Sequence, residues 1–331
     1  MRKRFLAIFL ALAIIFAAGC GNTGVTPDNP AAQEAAGHGE YEDEQAFVVA
    51  MPLIIGGNPP TIVASLHHTV GVRSDGTVVA TARPQDRDHG QSDVDGWSGI
   101  VAVAAGFDYT VGLRADGTLV TVGDNSEGQR DVDGWSDIIA VATGYNHTVG
   151  LRSDGTVIAV GSSSHDKLDF DGWTDIVAIA GASMHNVGLR ADGAVLAAGS
   201  NLHGQLEVGE MSDIVAISAG RQHTVGLRSD GTVMAVGSNS EGQLEVGEWS
   251  DIVAVSAGMR HTVGLRSDGA VVSAGSNGDG QRNVYGWNNI VAVSAGRHHT
   301  VGLRADGTVV AAGGNWQGQL NVDGWSDIRI P

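Results

Sequence analysis

Short runs of alternating hydrophobic and polar residues recur along this chain, and each run ends at a glycine or an Asp-Gly pair. The clearest copy begins at Asp213 with Asp-Ile-Val-Ala-Ile-Ser-Ala-Gly, continues with His-Thr-Val-Gly-Leu-Arg, and ends with Thr-Val-Met-Ala-Val-Gly after an Asp-Gly pair. Runs of this length, rich in β-branched residues and bounded by turn residues, predict β-strands. Each copy therefore predicts three strands, and outside the first twenty residues no stretch has convincing helical periodicity.

The copies follow one another at a nearly constant spacing. The glycines of the Asp-Gly pairs are spaced by 41 residues once and by 38 residues five times. They are Gly76, Gly117, Gly155, Gly193, Gly231, Gly269 and Gly307. A fixed period of this size indicates a repeat architecture, in which each module buries its apolar face against its neighbours. We therefore expect one domain over residues 47–331.

Turn residues predict how the strands of one module connect. Asp-Gly between two alternating runs indicates a hairpin of the second and third strands, with a type I′ turn that needs positive φ at both central residues. The segment Gly-Gln-Leu-Glu-Val after the third strand could add a short outer strand. The sequence thus predicts three to four strands per module.

Small residues beside valine, isoleucine and leucine favour sheets that stack face to face. The predicted fold is all-β, a seven-bladed β-propeller, with an open β-solenoid as the alternative. Strand-like segments lie at both ends of the array, at 47–50 and 326–330. In a ring these segments can pair across the seam, which removes exposed strand edges. We expect the C-terminal one to complete the shortened opening strand of the first module.

The N-terminus is typical of an exported protein. Residues 1–20 combine a basic start, a short apolar run and small residues before Cys20, which predicts a secretory signal peptide. This segment resembles a bacterial lipoprotein signal. Cys20 is the single cysteine of the chain, so no internal disulfide can form and lipidation of Cys20 is the expected use of its thiol. Residues 21–46, acidic and rich in Ala, Gly and Pro, predict a disordered tether.

Charge narrows the choice of partner. The formal net charge is −18, and this sign disfavours binding to nucleic acid or to an anionic lipid surface. Contact with a membrane is therefore expected only through the lipid anchor. The sequence predicts a monomer at the surface of a bacterial cell.

The modules resemble a known family. Ala-Gly-x-x-His-Thr, Asp-Gly-Thr-Val and Gly-x-Asn-x-x-Gly-Gln-Leu, seen at 237–244, are similar to the repeat of the regulator of chromosome condensation family, a seven-bladed propeller. In length the modules are similar to those of a propeller-type secreted bacterial inhibitor of β-lactamases. The resemblance implies a binding scaffold, because the family hosts nucleotide exchange, enzyme inhibition and protein docking. The fold by itself does not choose among these functions.

Residues that recur in every module are interpreted as structural. An Arg column precedes the Asp-Gly column by two residues, a histidine opens most second strands, and a tryptophan precedes most first strands. Equivalent positions in a propeller lie one per blade, so a single metal ion cannot gather the histidines, and bonds to adjacent backbone explain them. The sequence predicts no metal site, no cofactor and no catalytic residues.

Residues that differ among the modules are the candidate partner-binding site. The two residues before each recurrent histidine vary most, and we expect them at one rim, with an apolar arc of Phe107, Tyr145 and Met184 facing an arginine arc. Trp316 lies on the variable Gly-x-Asn-x-x-Gly-Gln loops, which we expect to line a different edge. The candidates are Phe107, Asp108, Tyr145, Asn146, Met184, Arg221, Gln222, Met259, Arg260, Arg297, His298 and Trp316. Aromatic, Met and Arg side chains are enriched at protein interfaces.

The predicted function is a surface-anchored, non-enzymatic scaffold that docks a protein, or an anionic glycan, on this rim. One alternative is inhibition of an extracytoplasmic serine hydrolase such as a β-lactamase. A second alternative is a cell-wall polysaccharide enzyme. Nucleotide exchange on a small GTPase does not fit an exported protein.

Overall fold

The computed structural model describes residues 61–81 and 89–331, which belong to one compact unit, Glu44–Pro331. The predicted signal peptide, Cys20, the tether and the strand-like segment at 47–50 lie outside the described residues. Within the described residues, no helix is both long enough and apolar enough to cross a membrane.

The described residues form seven antiparallel sheets of three strands each, and in each sheet the second strand is central. The first sheet is β1 (Ile62–Ala64), β2 (Thr69–Val72) and β3 (Val78–Ala80); the second is β4 (Ile100–Ala105), β5 (Tyr109–Arg114) and β6 (Leu119–Gly123); the third is β7 (Ile138–Thr143), β8 (His147–Arg152) and β9 (Val157–Gly161); the fourth is β10 (Ile176–Gly181), β11 (His185–Arg190) and β12 (Val195–Gly199); the fifth is β13 (Ile214–Ala219), β14 (His223–Arg228) and β15 (Val233–Gly237); the sixth is β16 (Ile252–Ala257), β17 (His261–Arg266) and β18 (Val271–Gly275); the seventh is β19 (Ile290–Ala295), β20 (His299–Arg304) and β21 (Val309–Gly313). Single 3-10 turns lie at Ser164–Asp166 and Val208–Glu210. The predicted hairpin of second and third strands is confirmed, as is the all-β class.

The Asp-Gly turn differs from the predicted type I′ turn. In the third sheet, Arg152 N donates to Thr156 O at 2.9 Å and Gly155 N donates to Arg152 O at 3.0 Å. Gly155 has φ 82°, whereas Asp154 does not have positive φ. The connection therefore has three residues and places only its last residue in the left-handed region. Asp154 Oδ1 accepts bonds from Thr156 N and Oγ1, so the aspartate caps the turn and is not one of two left-handed residues.

A fourth strand is absent from the described modules, and the Gly-Gln-Leu-Glu-Val segments form turns instead. In the fifth module, Val246 N donates to Leu244 O at 2.8 Å and Trp249 N donates to Val246 O at 3.0 Å. The Gln243 side chain is buried and its Oε1 accepts a bond from Glu241 N at 2.9 Å. These local hydrogen bonds use backbone N–H and C=O groups that a fourth strand would need for pairing with the third strand.

Neighbouring sheets pack face to face through apolar side chains. Val187 and Leu189 of the fourth sheet belong to one buried cluster with Ile214 and Ile217 of the fifth. The same pattern joins the first sheet to the seventh, where Ile62 packs in a buried cluster with side chains of β20. The core is therefore distributed among the contacts between sheets, as expected for a repeat fold.

The C-terminal segment lies against the first sheet. Ile328 forms a bridge with Arg73, and Arg329 N donates to Val72 O at 2.8 Å. In the second sheet the opening residue Ile100 pairs with Arg114, so Ile328 occupies the corresponding position of the first sheet. Apart from this bridge, the strand pairing of the described residues stays within each sheet.

The recurrent tryptophan packs on a glycine in the middle of the second strand in six of the seven described sheets, and Met211 takes its place in the fifth, which confirms its predicted role as a packing anchor. A Cβ added to Gly188 would lie 2.5 Å from Cζ3 of Trp173. The corresponding glycine of the first sheet, Gly71, lies under Trp325 in the same way. In those six sheets the invariant glycine of the His-Thr-Val-Gly-Leu-Arg run is therefore a site of close approach between an indole ring and a strand.

We expect Gly188→Ala to destabilise the protein by about 1–3 kcal/mol, because the new methyl group overpacks the site under Trp173. A Gly-to-Ala change without a clash generally stabilises by lowering the entropy of the unfolded chain. Gly209→Ala is the matched control, since a Cβ there would have nothing within 4 Å. Urea unfolding of both variants measures the difference, and equal stabilities would contradict the close approach.

Candidate functional site

The variable residues lie at one end of the sheets, which we call the loop end. It consists of the connections from first to second strands and the loops that leave the third strands. The two kinds of loop meet there because His147, at the start of β8, pairs with Gly161, at the end of β9, and Ser162 N donates to Asn146 O at 2.8 Å. The prediction that the Gly-x-Asn-x-x-Gly-Gln loops line a different edge is therefore wrong.

Four apolar side chains of the loop end form one cluster, which we call the central cluster. Leu66 is 0% exposed and Met259 is 7% exposed, with Phe107 and Tyr145 packed against them half-buried. The rings of Phe107 and Tyr145 have centroids 4.5 Å apart. The cluster thus joins the first, second, third and sixth sheets.

This arrangement differs from the predicted apolar arc of the second to fourth sheets. Met259 comes from the sixth sheet, among the predicted arginines, and Met184 of the fourth sheet is half-buried outside the cluster. Side chains from equivalent loops of different sheets meet in this cluster. The side chains that touch therefore do not all come from modules that are consecutive in the sequence.

The three predicted arginines occupy different environments. Arg221 is 9% exposed. Arg260 is half-exposed, and its Nη1 lies 3.6 Å from Oε1 of Glu241 on the preceding loop. The backbone N of Arg297 donates to Ser65 O of the first sheet at 3.2 Å. The polar candidates Asn146 and Gln222 are half-buried. Their backbone carbonyl oxygens accept hydrogen bonds from Ser162 N and Ser238 N.

A buried carboxylate connects the central cluster to two histidines. Asp108 Oδ1 lies 3.4 Å from Nδ1 of His67, and its Oδ2 lies 3.6 Å from Nε2 of His89. The His67 ring lies 5.1 Å from the ring of Phe107. His89 was not among the predicted site residues, because it precedes the second module at a position that the repeat pattern does not single out.

A second acid–histidine pair lies beside Trp316. His298 Nδ1 lies 2.6 Å from Oδ2 of Asp279, on the loop after β18. The His298 ring meets the Trp316 ring edge-on at a centroid distance of 5.2 Å. Burial lowers the pKa of His298, as do the charges of Arg297 and His67, while the bond to Asp279 raises it. Sequence reasoning named His298 and Trp316 but missed Asp279.

Lys167 adds a cation close to the fourth module. It stands where most modules have the buried glutamine, and its Nζ donates to Ser183 O at 3.5 Å. Burial lowers the pKa of Lys167 to about 8, and the charge of Glu127 opposes that shift.

The recurrent histidines are buried between sheets, and their side chains bond to the next sheet. His185 Nε2 lies 3.0 Å from Thr224 Oγ1, which donates to Gln205 O at 2.8 Å. The threonine therefore accepts from the imidazole Nε2–H. Burial lowers the pKa of His185 to about 3, so the ring is neutral and its one proton is on Nε2. The predicted bond to adjacent backbone is thus wrong in detail: the histidine reaches the backbone through the next sheet's threonine. No group of three or more His, Cys, Asp or Glu suited to a metal ion occurs among residues 61–81 and 89–331.

Comparison with known proteins identifies the repeat. The Regulator of chromosome condensation (RCC1) repeat matches residues 100–129, 138–166, 214–243, 252–281 and 290–319. These five matches correspond to the second, third, fifth, sixth and seventh sheets. No curated protein sequence matches the chain significantly.

Solved structures share the fold at low sequence identity. The CRINKLY WD40 ectodomain of the receptor kinase ACR4 from Arabidopsis thaliana is 20% identical, with a TM-score of 0.65 over 80% of this chain and 98% of that chain. Prp20p from Saccharomyces cerevisiae, described with its binding to Gsp1p and histones, is 16% identical, with a TM-score of 0.61 over 88% and 87% of the two chains.

A second structure of the yeast protein, RCC1 (Prp20) with Kap60 bound, is 15% identical, with a TM-score of 0.61 over 92% of this chain and 91% of that chain. At these identities the likeness establishes the fold alone. Over residues 61–81 and 89–331 this chain forms seven three-stranded β-modules, five of which match the RCC1 repeat, and its fold is similar to that of the RCC1 propellers.

Proposed function

We propose that this protein is a non-enzymatic scaffold that docks a partner protein on its loop end. RCC1 propellers of this fold bind proteins, as the yeast relative does with Gsp1p and Kap60. We extend that mode of action to this chain. Lipidation of Cys20 would hold the scaffold at the bacterial cell surface, and we propose that it acts there as a monomer.

One observation carries the proposal: what the modules share lies between the sheets, and what differs lies at the loop end. The shared tryptophans and histidines pack on or bond to strands within and between the sheets. The loop end instead combines aromatic rings, a methionine and arginines, the residue types that dominate binding hot spots. A unique partner needs such asymmetry, because seven equivalent surfaces offer seven equivalent sites.

The proposal includes a closed arrangement of the seven sheets. Contacts between the first and seventh sheets support it, since Ile62 packs with Val301 and Leu303. A closed propeller would bring the variable side chains of all modules around one axis. The convergence of Leu66 and Met259 from the first and sixth sheets supports the same arrangement.

Capture experiments with matched variants test the docking surface. A variant with Phe107, Tyr145, Arg260 and Arg297 changed to alanine should lose its partner from an envelope extract of the source bacterium, with affinity lowered at least about 30-fold as for hot-spot truncations. Tyr285→Ala should capture like the wild type, because Tyr285 is a 99% exposed aromatic residue outside the loop end. Circular dichroism verifies that each variant folds. Equal capture by all three proteins would refute the loop-end surface.

Inhibition of a serine hydrolase such as a β-lactamase is a second candidate function. The contact between the Phe107 and Tyr145 rings favours it, because the secreted inhibitor that the modules resemble presents aromatic residues on the corresponding loop. Inhibition of purified β-lactamases by the wild type, and its loss with the four-residue variant, would support this candidate. A hydrolase that binds but remains fully active would support docking without inhibition.

A further inference from the structure

One asparagine of the loop end is followed by glycine, and this is the single Asn-Gly pair of the sequence. Asn277 and Gly278 lie on the loop that leaves β18, and both residues are exposed. A Cβ added to Gly278 would have nothing within 4 Å, so the peptide that follows Asn277 borders open space. The loop therefore presents a side-chain amide beside a backbone N–H whose own residue has no side chain.

The asparagine has the same structural role in this loop and in its counterparts. Asn277 Oδ1 accepts a hydrogen bond from Arg282 N at 2.8 Å, and its Nδ2 donates to Asn283 Oδ1 at 3.2 Å. In four other described modules, an asparagine Oδ1 likewise accepts from the backbone N five residues later; these residues are Asn125, Asn201, Asn239 and Asn315. The residues that follow them are Ser126, Leu202, Ser240 and Trp316. Five loops thus share one geometry, and only one of them has glycine after the asparagine.

We propose that Asn277 is a site of spontaneous deamidation, which converts this residue to aspartate and isoaspartate with water as the co-reactant. The backbone N of Gly278 attacks Asn277 Cγ and gives up its proton to solvent. A new N–C bond forms, the Cγ–Nδ2 bond breaks, and Nδ2 takes a proton and leaves as ammonia. Water then opens the cyclic imide at either of its carbonyl carbons. The product has a carboxylate in place of the amide, and no group is oxidised or reduced.

Two features of the loop favour this reaction in the folded protein. The attack places negative charge on Asn277 Oδ1, which already accepts from Arg282 N, and a donor aimed at a developing oxyanion lowers the barrier. Gly278 has no Cβ to obstruct the approach of its N to Cγ, and its backbone has the freedom that the attack needs. Such an intramolecular step depends on geometry, and a small misplacement of the reacting atoms can lower its rate about 100-fold.

The Asp-Gly pairs of the turns are poorer sites for the same attack. Hydrogen bonds from Thr156 Oγ1 and N lower the pKa of the Asp154 carboxyl group, so this group stays ionised. An ionised carboxylate repels the attacking nitrogen and has no good leaving group. The Asn277 amide is neutral and can release ammonia, so it is the preferred site of imide formation.

The product changes the charge of the loop end. The new carboxylate lies two residues before Asp279, whose Oδ2 is 2.6 Å from His298 Nδ1. An added negative charge on this loop favours the protonated form of the imidazole. The isoaspartate form also lengthens the main chain by a methylene group, which disturbs the bond from Arg282 N. Deamidation is therefore a slow and irreversible change of this surface.

Peptide mapping by mass spectrometry of the full-length protein tests the site. During incubation at mildly alkaline pH, the folded protein should convert Asn277 at least about tenfold faster than Asn239, which is followed by serine. An isoaspartate methyltransferase identifies the isoaspartate product. Equal conversion of the two residues would overturn the proposal. So would an unchanged folded protein after a time in which the urea-unfolded chain is converted.

Two reciprocal variants isolate the effect of the glycine. Gly278→Ser gives this loop the residue that follows Asn125 and Asn239, and it should lower the conversion of Asn277 at least about tenfold. Its fold should be retained, because the new Cβ meets nothing within 4 Å. Ser240→Gly should raise the conversion of Asn239 toward that of Asn277. Circular dichroism verifies that both variants fold.

Wild-type conversion of Asn277 in Gly278→Ser would refute the proposal, and an unreactive Asn239 in Ser240→Gly would count against it. Neither measurement uses a partner protein, so a failure here is distinct from a failure of the proposed docking function.

Discussion

Lowering the pH from about 7 to about 5 should unfold this protein. Five histidines are neutral when buried in the folded state but take up protons in the unfolded state, so acid favours unfolding. Burial lowers the pKa of His147, His185, His261 and His299 to about 3 and that of His223 to about 4. Each ring is held neutral between two sheets, so protonation in the folded state would bury an uncompensated charge.

The sign of the effect follows from the direction of these shifts. The folded pKa values lie below the ordinary value of 6.5, so the unfolded state binds more protons between pH 6.5 and the folded pKa values. The histidine contribution to stability is therefore complete above pH 6.5 and is lost as the pH falls. By about pH 5 each histidine has lost about 2 kcal/mol of this contribution, and the loss from all five is roughly 10 kcal/mol, comparable with the whole stability of a typical domain.

Urea unfolding as a function of pH measures this proton uptake directly. The slope of the unfolding free energy against pH should correspond to an uptake of about four protons at about pH 6, rising to nearly five at about pH 5. His223→Gln preserves a donor for Thr262 Oγ1, which now accepts from His223 Nε2 at 3.1 Å. This variant should reduce the uptake by about one proton. An uptake near zero in the wild type would mean that the histidines are already protonated in the fold.

Deletion of the C-terminal segment 326–331 should destabilise the protein by roughly 5 kcal/mol or more, because the first sheet loses its opening residue. Ile328 is 2% exposed and packs in the cluster of the first and seventh sheets. The deletion also removes the bonds from Ser74 N to Asp327 O and from Thr61 Oγ1 to Arg329 O, at 2.8 and 2.6 Å. Trp325 is retained, so the indole on Gly71 is not part of the loss.

Two milder variants serve as controls for the deletion. Ile328→Val removes one methylene group and should cost only about 0.5–1.5 kcal/mol. Removal of Ile330 and Pro331 alone should have little effect, since Ile330 is 43% exposed. Urea unfolding followed by tryptophan fluorescence compares the three proteins. If the deletion and the two-residue truncation unfold at the same urea concentration, the first sheet does not depend on Ile328.

Local patterns predicted the module well because its strands bond to each other within one stretch of chain. Three strands per module, the hairpin of second and third strands, and the tryptophan as a packing anchor depend on neighbours less than one module apart, with the exception of Trp325, which packs on Gly71 of the first sheet. The turn type was wrong because Asp-Gly is compatible with both a two-residue and a three-residue connection. The register of Leu151 against Val157 decides between them, and it leaves three residues between Arg152 and Thr156.

The loop end could be predicted only in part. Variation among the copies singled out Phe107 and Tyr145, since a residue that breaks a repeat is visible in the sequence. The partners of these rings are not visible there, because Leu66 and Met259 come from modules that lie far apart along the chain. Asp279 was missed for the same reason: its role depends on His298 of the next module, and an acid on a polar loop is ordinary by itself.

The sequence by itself determined the repeat, the strands and the residues that hold one sheet to the next, because the same short-range interactions recur in every module. Only the tertiary structure decided which unmatched side chains meet and that both kinds of variable loop share one end, whereas the place of Ile328 in the first sheet agrees with the expectation from the sequence. The physical reason is that strand pairing and turn formation are local, whereas contacts across the sheets depend on how all the modules stack. The sites with the most specific chemistry, beside Asp108 and Trp316, are formed by that stacking.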